Sequence, residues 1–223
     1  MRSPSRKNDL SDSTIAFADI AGFTALTEAH GDDHAATMLG QYYALAAASL
    51  CDGAKVVKHI GDAVMIWAPT PLSGVRSVLR VMHSVDSEPG WPALRVGVHA
   101  GPVVENSGDF FGTTVNTAAR VAAHAHCGQL LCTRGVVRGL ASTEFAFRPL
   151  GDLQLKNLHE PVTIFELADE ALMAAADLDP VCRMRIDRAR APARLPFRGQ
   201  SYSFCSLKCA QAFAANPLGH VKP

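Results

Sequence analysis

No apolar run in this 223-residue sequence approaches the roughly 18 residues that a membrane-spanning helix needs, although 48% of its residues are hydrophobic. The first 13 residues are polar and contain no apolar core, which argues against a secretory signal. A cytoplasmic chain with a flexible start over residues 1–13 is therefore expected. Net charge is missing too, since 21 Lys and Arg balance 21 Asp and Glu, so no whole-molecule field draws the chain to nucleic acid. The balance is global but not local: residues 1–176 carry 13 basic against 18 acidic side chains, residues 177–223 carry 8 against 3. The arginines of this basic tail (Arg183, Arg185, Arg188, Arg190, Arg194, Arg198) are spread along it, as on a solvated face, and nucleic acid is not an expected partner. Without a secretory signal the six cysteines do not read as a disulfide framework. Cys51, Cys127 and Cys132 sit in apolar surroundings as ordinary core thiols. Cys182, Cys205 and Cys209 gather in the tail, as metal ligands or redox thiols.

What is present is a mixed pattern of strands and helices with no strict βαβ repeat, which favours an α+β fold with a largely antiparallel sheet. Thr14 to Asp19 is a short apolar strand running into a turn at Gly22 and a helix from about Ala25. The Ala-rich segment Asp33–Leu50 is expected to continue helically. Ala54–His59 and Ala63–Trp67 form a hairpin around Gly61-Asp62. Pro69–Ser73 reads as a loop, Val75–Val85 as a helix, and Leu94–His99 and Pro102–Glu105 as two strands. Gly108–Gly112 is turn-rich, Val115–Ala125 helical and Gln129–Thr133 a buried strand. Phe145–Pro149, Gly151–Leu155 and Val162–Glu166 close the sheet. An Ala-rich helical linker over 168–177 then leads to a change in composition near Asp177.

Asp19, before a glycine turn, and Asp62, on a hairpin tip, each read singly as turn residues. If their strands are neighbours, they become a hard-oxygen pair suited to Mg²⁺ or Mn²⁺. The company they keep decides between these readings: Phe17-Ala18-Asp19-Ile20-Ala21-Gly22-Phe23-Thr24, Lys58-His59-Ile60-Gly61-Asp62, Arg95-Val96-Gly97-Val98-His99-Ala100-Gly101, Gly108-Asp109-Phe110-Phe111-Gly112, Val115-Asn116-Thr117-Ala118-Ala119-Arg120 and Leu155-Lys156. In this order and spacing residues 14–167 resemble the class III nucleotide cyclase catalytic domain. The resemblance implies a ferredoxin-like domain with a mainly antiparallel sheet flanked by helices. It also implies that Asp19, Asp62 and the backbone carbonyl of Ile20 hold two divalent ions, one activating the ribose 3′ hydroxyl and the other steadying the triphosphate. Gly22, Phe23 and Thr24, at a helix start, would offer amides to phosphate, with Arg95 and Lys156 as further ATP contacts. Asn116 would orient the ribose and Arg120 would meet charge developing at the α-phosphate. Lys58 and Asp109 match the purine-selecting pair in the form that fits adenine. In such cyclases the two residue sets meet across a head-to-tail homodimer, Asp19, Asp62 and Arg95 from one subunit facing Lys58, Asp109, Asn116, Arg120 and Lys156 from the other.

The tail, with Cys182 followed by Tyr202-Ser203-Phe204-Cys205 and Cys209, resembles a YHS domain over residues 178–223, a small metal-associated module. It departs from that family at Arg183, where glycine is usual, and at Ser203, where a second aromatic is common. Cys205 and Cys209, four apart, can point the same way from a helix start, and Cys182 can return to them across a small hairpin. Three thiolates suit Zn²⁺ or another soft ion, with His220 or water as fourth ligand. Such a metal either holds up a module too small for a large core or serves as a sensor. The expected function is an adenylate cyclase making cyclic AMP from ATP, the tail modulating it. The alternative is a catalytically silent cyclase-like dimer acting as a nucleotide or metal sensor, against which the completeness of the motifs argues.

Overall fold

A computed structural model describes residues 8–51, 53–88, 90–156, 158, 160–169 and 177–221, with the backbone alone for residues 8–12 and Asp177. Its centre is an eight-stranded sheet ordered β2(Lys55–Ile60), β3(Ala63–Ala68), β1(Asn8–Ile20), β4(Leu94–Asn106), β6(Leu130–Thr133), β8(Val162–Ala168) and β7(Ala146–Leu153), with β5(Asp109–Phe111) paired to the far end of β4. Only the β4–β6 pair is parallel; the other pairs are antiparallel, as expected for an α+β fold.

Alternation along β1 sorts its side chains between two cores. Ala16, Ala18 and Ile20 face α1(Phe23–His30), α2(Asp32–Ser49) and α3(Pro71–Ser87), where Leu26, Met38, Tyr42, Val78 and Met82 are buried against them. Ile15 and Phe17 face the opposite way, with Met65, Val103 and Phe110, onto Ala118 and Ala122 of α4(Thr113–His124). Helix α4 lies so near the sheet that a Cβ at Gly97 of β4 would come within 2.0 Å of the Ala122 backbone nitrogen. Glycine on the strand and alanine on the helix permit that approach. A short helix, α5(Arg134–Gly139), links β6 to β7.

Several elements differ from the sequence expectation. The strand expected from Thr14 extends back to Asn8, into the segment read as flexible, because β4 is itself long and pairs with it as far as Glu105. The two strands expected around His99 are that one long β4, and Gly151 marks an irregularity within a single β7 where two strands were expected. Helix α3 begins within the expected Pro69–Ser73 loop: Thr70 caps it by accepting from the Ser73 amide at 3.1 Å, and Pro71 occupies its first turn, where a missing N–H costs nothing. Most of the expected helical linker, residues 170–176, lies outside the described residues.

The tail forms two small antiparallel pairs, β9(Asp177–Leu178) with β10(Arg185–Ile186) and β11(Ala193–Phe197) with β12(Gln200–Phe204), followed by α6(Leu207–Ala215). It shares the core of the larger domain: Val181, Met184, Phe204 and Phe213 belong to the same buried cluster as Leu26 and Trp91. The Arg185 amide donates to the Trp91 carbonyl at 3.0 Å, the Arg185 guanidinium meets Asp86, and Lys208 donates to the Glu28 carbonyl at 2.6 Å. No helix among the described residues is long and apolar enough to cross a membrane.

The contact at Gly97 sets an expectation for stability. Gly97→Ala forces α4 away from the sheet and is expected to cost about 3 kcal/mol or more, beyond the usual overpacking penalty because the clash is with backbone. A urea denaturation midpoint within error of the parent would contradict it.

Candidate active site

Two rows of residues cross the sheet at the end of β1. Ile60, Ala63, Asp19 and Arg95 form one; Lys58, Met65, Phe17 and Gly97 form the next. Directly opposed residues share a face, so Asp19, Arg95 and Lys58 stand on the face that α4 covers. Asp62 occupies the two-residue turn between β2 and β3, and the Ile20 amide donates to its carbonyl at 3.2 Å. That bond ties the hairpin tip to the end of β1 and brings the two carboxylates together. Consecutive tyrosines of α2 brace the arrangement from behind. Tyr42 donates to the Ala18 carbonyl at 2.8 Å, while Tyr43 donates to the Gly61 carbonyl and stacks on His59 with ring centroids 3.7 Å apart.

The electrostatics follow from this geometry. Burial, and then the Asp62 carboxylate beside it, push the Asp19 carboxyl up to about 6, against the opposing pull of the Arg95 guanidinium that donates to it. A cleft of about 470 Å³ opens beside the pair, lined by Asp19, Asp62, Lys58 and Asn116 together with Phe17, Val115 and Ala119. Lys58 Nζ donates to Asp109 Oδ2 at 2.6 Å and lies 5.7 Å from the Phe111 ring centre. This hydrogen bond holds the Asp109 carboxyl below its ordinary value.

The remaining expected residues are placed less centrally. Arg120, one turn beyond Asn116 on α4, does not line the cleft, and its buried Nε has no hydrogen-bond partner. Lys156 lies on an exposed stretch after β7 and does not line it either. Gly22, with φ 75, forms the left-handed N-cap of α1, so Phe23 and Thr24 stand in its first turn. The neighbouring Ala21 amide donates to the Ala93 carbonyl at 3.0 Å and so is not available to phosphate. Arg95 also reaches a cavity of about 640 Å³ between the Ala21-Gly22 turn and the tail residues Pro180, Arg183 and His220.

The three tail cysteines do converge: Cys182 Sγ is 3.4 Å from Cys205 Sγ, which is 3.7 Å from Cys209 Sγ. His220, considered as a fourth ligand, instead stacks on Phe213 with centroids 6.3 Å apart. The imidazole beside the thiols belongs to His30, at the end of α1, whose Nε2 is 3.5 Å from Cys205 Sγ. Sequence reading missed it because 175 residues separate the two and no ligand spacing links them. His99, half-buried at the α5 side of the sheet with its Nδ1 2.7 Å from Thr133 Oγ1, is held down to about 4 by burial.

Residues 6–168 match the family model described as the adenylate and guanylate cyclase catalytic domain. A pH-sensitive adenylate cyclase of Mycobacterium tuberculosis is 33% identical over 158 residues, covering 69% of this chain and 40% of that protein. An adenylate cyclase of Streptomyces griseus is 34% identical over 112 residues, covering 50% of this chain and 28% of that protein. The chain thus spans well under half the length of these relatives. Among solved structures, the adenylyl cyclase CyaB from P. aeruginosa superposes with a TM-score of 0.62 at 20% identity, covering 74% of this chain and 96% of that one, which is a likeness of fold. With a family match that takes in every element from β1 to β8, the chain belongs to the adenylate and guanylate cyclase catalytic domain family.

Proposed function

We propose that this protein is an adenylate cyclase, converting ATP to 3′,5′-cyclic AMP and pyrophosphate with two Mg²⁺ or Mn²⁺ ions at a site completed by a second copy of the chain. The observation that carries this reading is the convergence of Asp19 and Asp62 at one end of a cleft that also holds Lys58 and Asn116. The donor chemistry fits divalent ions: a half-buried carboxylate raised by burial and by the second carboxylate beside it is a site that favours added positive charge, and both donors are hard oxygens. The Ile20 carbonyl is the third donor in this reading. When bound, the ions supply Lewis acidity to the 3′ hydroxyl and neutralise the pyrophosphate leaving group.

The protein's own groups do the rest. The ribose 3′ oxygen attacks the α-phosphorus, the bond from that phosphorus to the α,β-bridging oxygen breaks, pyrophosphate departs, and the hydroxyl proton passes to solvent. Asn116 holds the ribose, and Arg120, with a guanidinium nitrogen otherwise unpartnered, meets the charge developing on the α-phosphate. The amides of Gly22, Phe23 and Thr24 at the start of α1 receive phosphate, with Arg95 and Lys156 as charged contacts. Lys58 and Asp109 place a donor and an acceptor 2.6 Å apart, the complement of adenine's adjacent N1 acceptor and 6-amino donor. Guanine presents the reverse pattern there and would leave both groups unsatisfied. The exposed Ile60 and Phe111, each 48% accessible beside these groups, are natural cover for a partner subunit. Residues 178–223 are read as a YHS-like module. Arg183 keeps the backbone that glycine would adopt there, with φ 62.

Purified protein is expected to form cyclic AMP from MnATP or MgATP, with chelator-sensitive turnover and no comparable product from MnGTP; cyclic GMP as the main product would overturn the base assignment. Mixing Asp19→Ala with Arg120→Ala, each inactive alone, is expected to regenerate one working site per heterodimer. No recovery of activity in the mixture counts against a composite site.

Asp19 also predicts an unusual pH dependence. An aspartate raised above its unfolded value weakens the fold wherever it is ionised, and the penalty vanishes once both states are protonated. As pH falls through about 6 towards 3.8, the metal-free protein should gain up to about 3 kcal/mol from this group. Asp19→Asn should lack that gain and be the more stable chain at pH 7 in chelator. Adding Mn²⁺ should raise the denaturation midpoint of the parent and leave that of the variant almost unmoved. Parallel pH profiles for the two chains would refute this.

A further inference from the structure

We infer that Cys182, Cys205 and Cys209 of the tail together with His30 of the cyclase domain form a Cys₃His zinc site that clamps the tail onto helix α1. Their four ligand atoms lie within 4.8 Å of one another, on segments that converge only in the folded chain. A zinc ion bound at about 2.3 Å by sulfur and about 2.0 Å by nitrogen defines a tetrahedron with S···S edges of about 3.8 Å and S···N edges of about 3.5 Å. The observed edges are 3.4 and 3.7 Å between sulfurs and 3.5 Å from Cys205 Sγ to His30 Nε2. These three edges are already close to the spacing that the ion requires, and the other three are within 4.8 Å.

The surroundings are built to hold that spacing. Asp179, fully buried, accepts from the amides of Val181 at 2.8 Å and Cys182 at 3.3 Å with one oxygen, and from the Cys205 amide at 2.8 Å with the other. One carboxylate therefore fixes both cysteine-bearing turns relative to each other, the outer-shell task that keeps ligands oriented. Ser206 caps α6 by accepting from the Cys209 amide at 3.1 Å, which sets Cys205 and Cys209 on either side of the helix start. Cys182 and Cys209 are fully buried beneath Phe204 and Phe213, so the ion would be sealed on the tail side. A disulfide could use only two of the three thiols and would leave the imidazole without a role. Three thiolates with one neutral imidazole suit Zn²⁺ and satisfy all four groups.

The clamp reaches the catalytic turn. His30 ends α1, and the same helix starts at Gly22, against which the tail is packed so closely that a Cβ there would stand 3.0 Å from Arg183 Cγ and 3.3 Å from the Cys182 carbonyl oxygen. Zinc occupancy accordingly fixes the position of the tail over the Ala21-Gly22 turn. The link to phosphate binding rests on the cyclase reading above; the zinc site itself does not.

The test uses the full-length chain, with bound metal measured directly and by Co²⁺ substitution. The parent should bind one zinc per chain, and its cobalt form should show thiolate charge-transfer bands and the intense ligand-field bands of a tetrahedral site. His30→Ala should weaken zinc binding at least roughly tenfold and lose the tetrahedral cobalt signature. His30→Cys, which again supplies four ligands, should restore both, guarding against a simple folding defect, and His220→Ala should match the parent. Stripping zinc should increase amide exchange in both α1 and α6. Zinc binding indifferent to His30→Ala, a coordination sphere of sulfur alone, or a Cys182–Cys205 disulfide with no metal uptake after reduction would each overturn the proposal. None of these readouts involves nucleotide turnover, so failure here leaves the cyclase reading standing, and absence of turnover leaves the zinc site standing.

Discussion

Two carboxylates held side by side at the end of β1 are the constraint around which the molecule is arranged. Burial and, after it, the repulsion between like charges raise Asp19, an energetic cost to the metal-free fold. The pair persists because other contacts determine its geometry. The Ile20 amide holds the hairpin tip, Tyr42 and Tyr43 hold the two backbones from the α2 side, and Arg95 returns part of the missing positive charge. Strain of this kind, maintained by surrounding structure, is a common property of sites prepared for a cation.

The same sheet geometry sets where the charged side chains of the cleft stand. Asp19 and Arg95 lie in one row of residues and Lys58 in the next, so the carboxylates and the lysine share a face while pointing from different strands. Arg120 and Lys156 fall outside the cleft that Asp19, Asp62, Lys58 and Asn116 line. On the opposite side of β1, the tail covers the Ala21-Gly22 turn and contributes its aromatic residues to the common core. The appendage is therefore built into the structure beside that turn.

Most of the elements were legible from local patterning, since alternation and helical periodicity are local properties. The misreadings have local causes as well. Pro71 looked like a breaker and proved to be the first turn of α3, because Thr70 supplies the cap that makes proline acceptable there. Ala100-Gly101 looked like a gap between two strands, but β4 continues through it, paired on one side with β1 and at its far end with β5. Asp109–Phe111, read as part of a turn-rich loop, is a strand because the end of β4 offers it an edge. In each case a partner distant in sequence decided what a local signal left open.

By itself the sequence determined the order of chemistry-bearing motifs, the α+β class and the change of composition near Asp177, because these depend on residue type and spacing along the chain. Only the tertiary structure decided that Asp19 and Asp62 meet, that Lys58 and Asp109 form a pair, and that His30 joins three cysteines from the other end of the molecule. The physical reason is the same for all three. Electrostatic coupling, hydrogen bonding and ligand geometry act through space over a few ångströms, and the sheet register and helix docking that set those distances involve segments far apart in the chain.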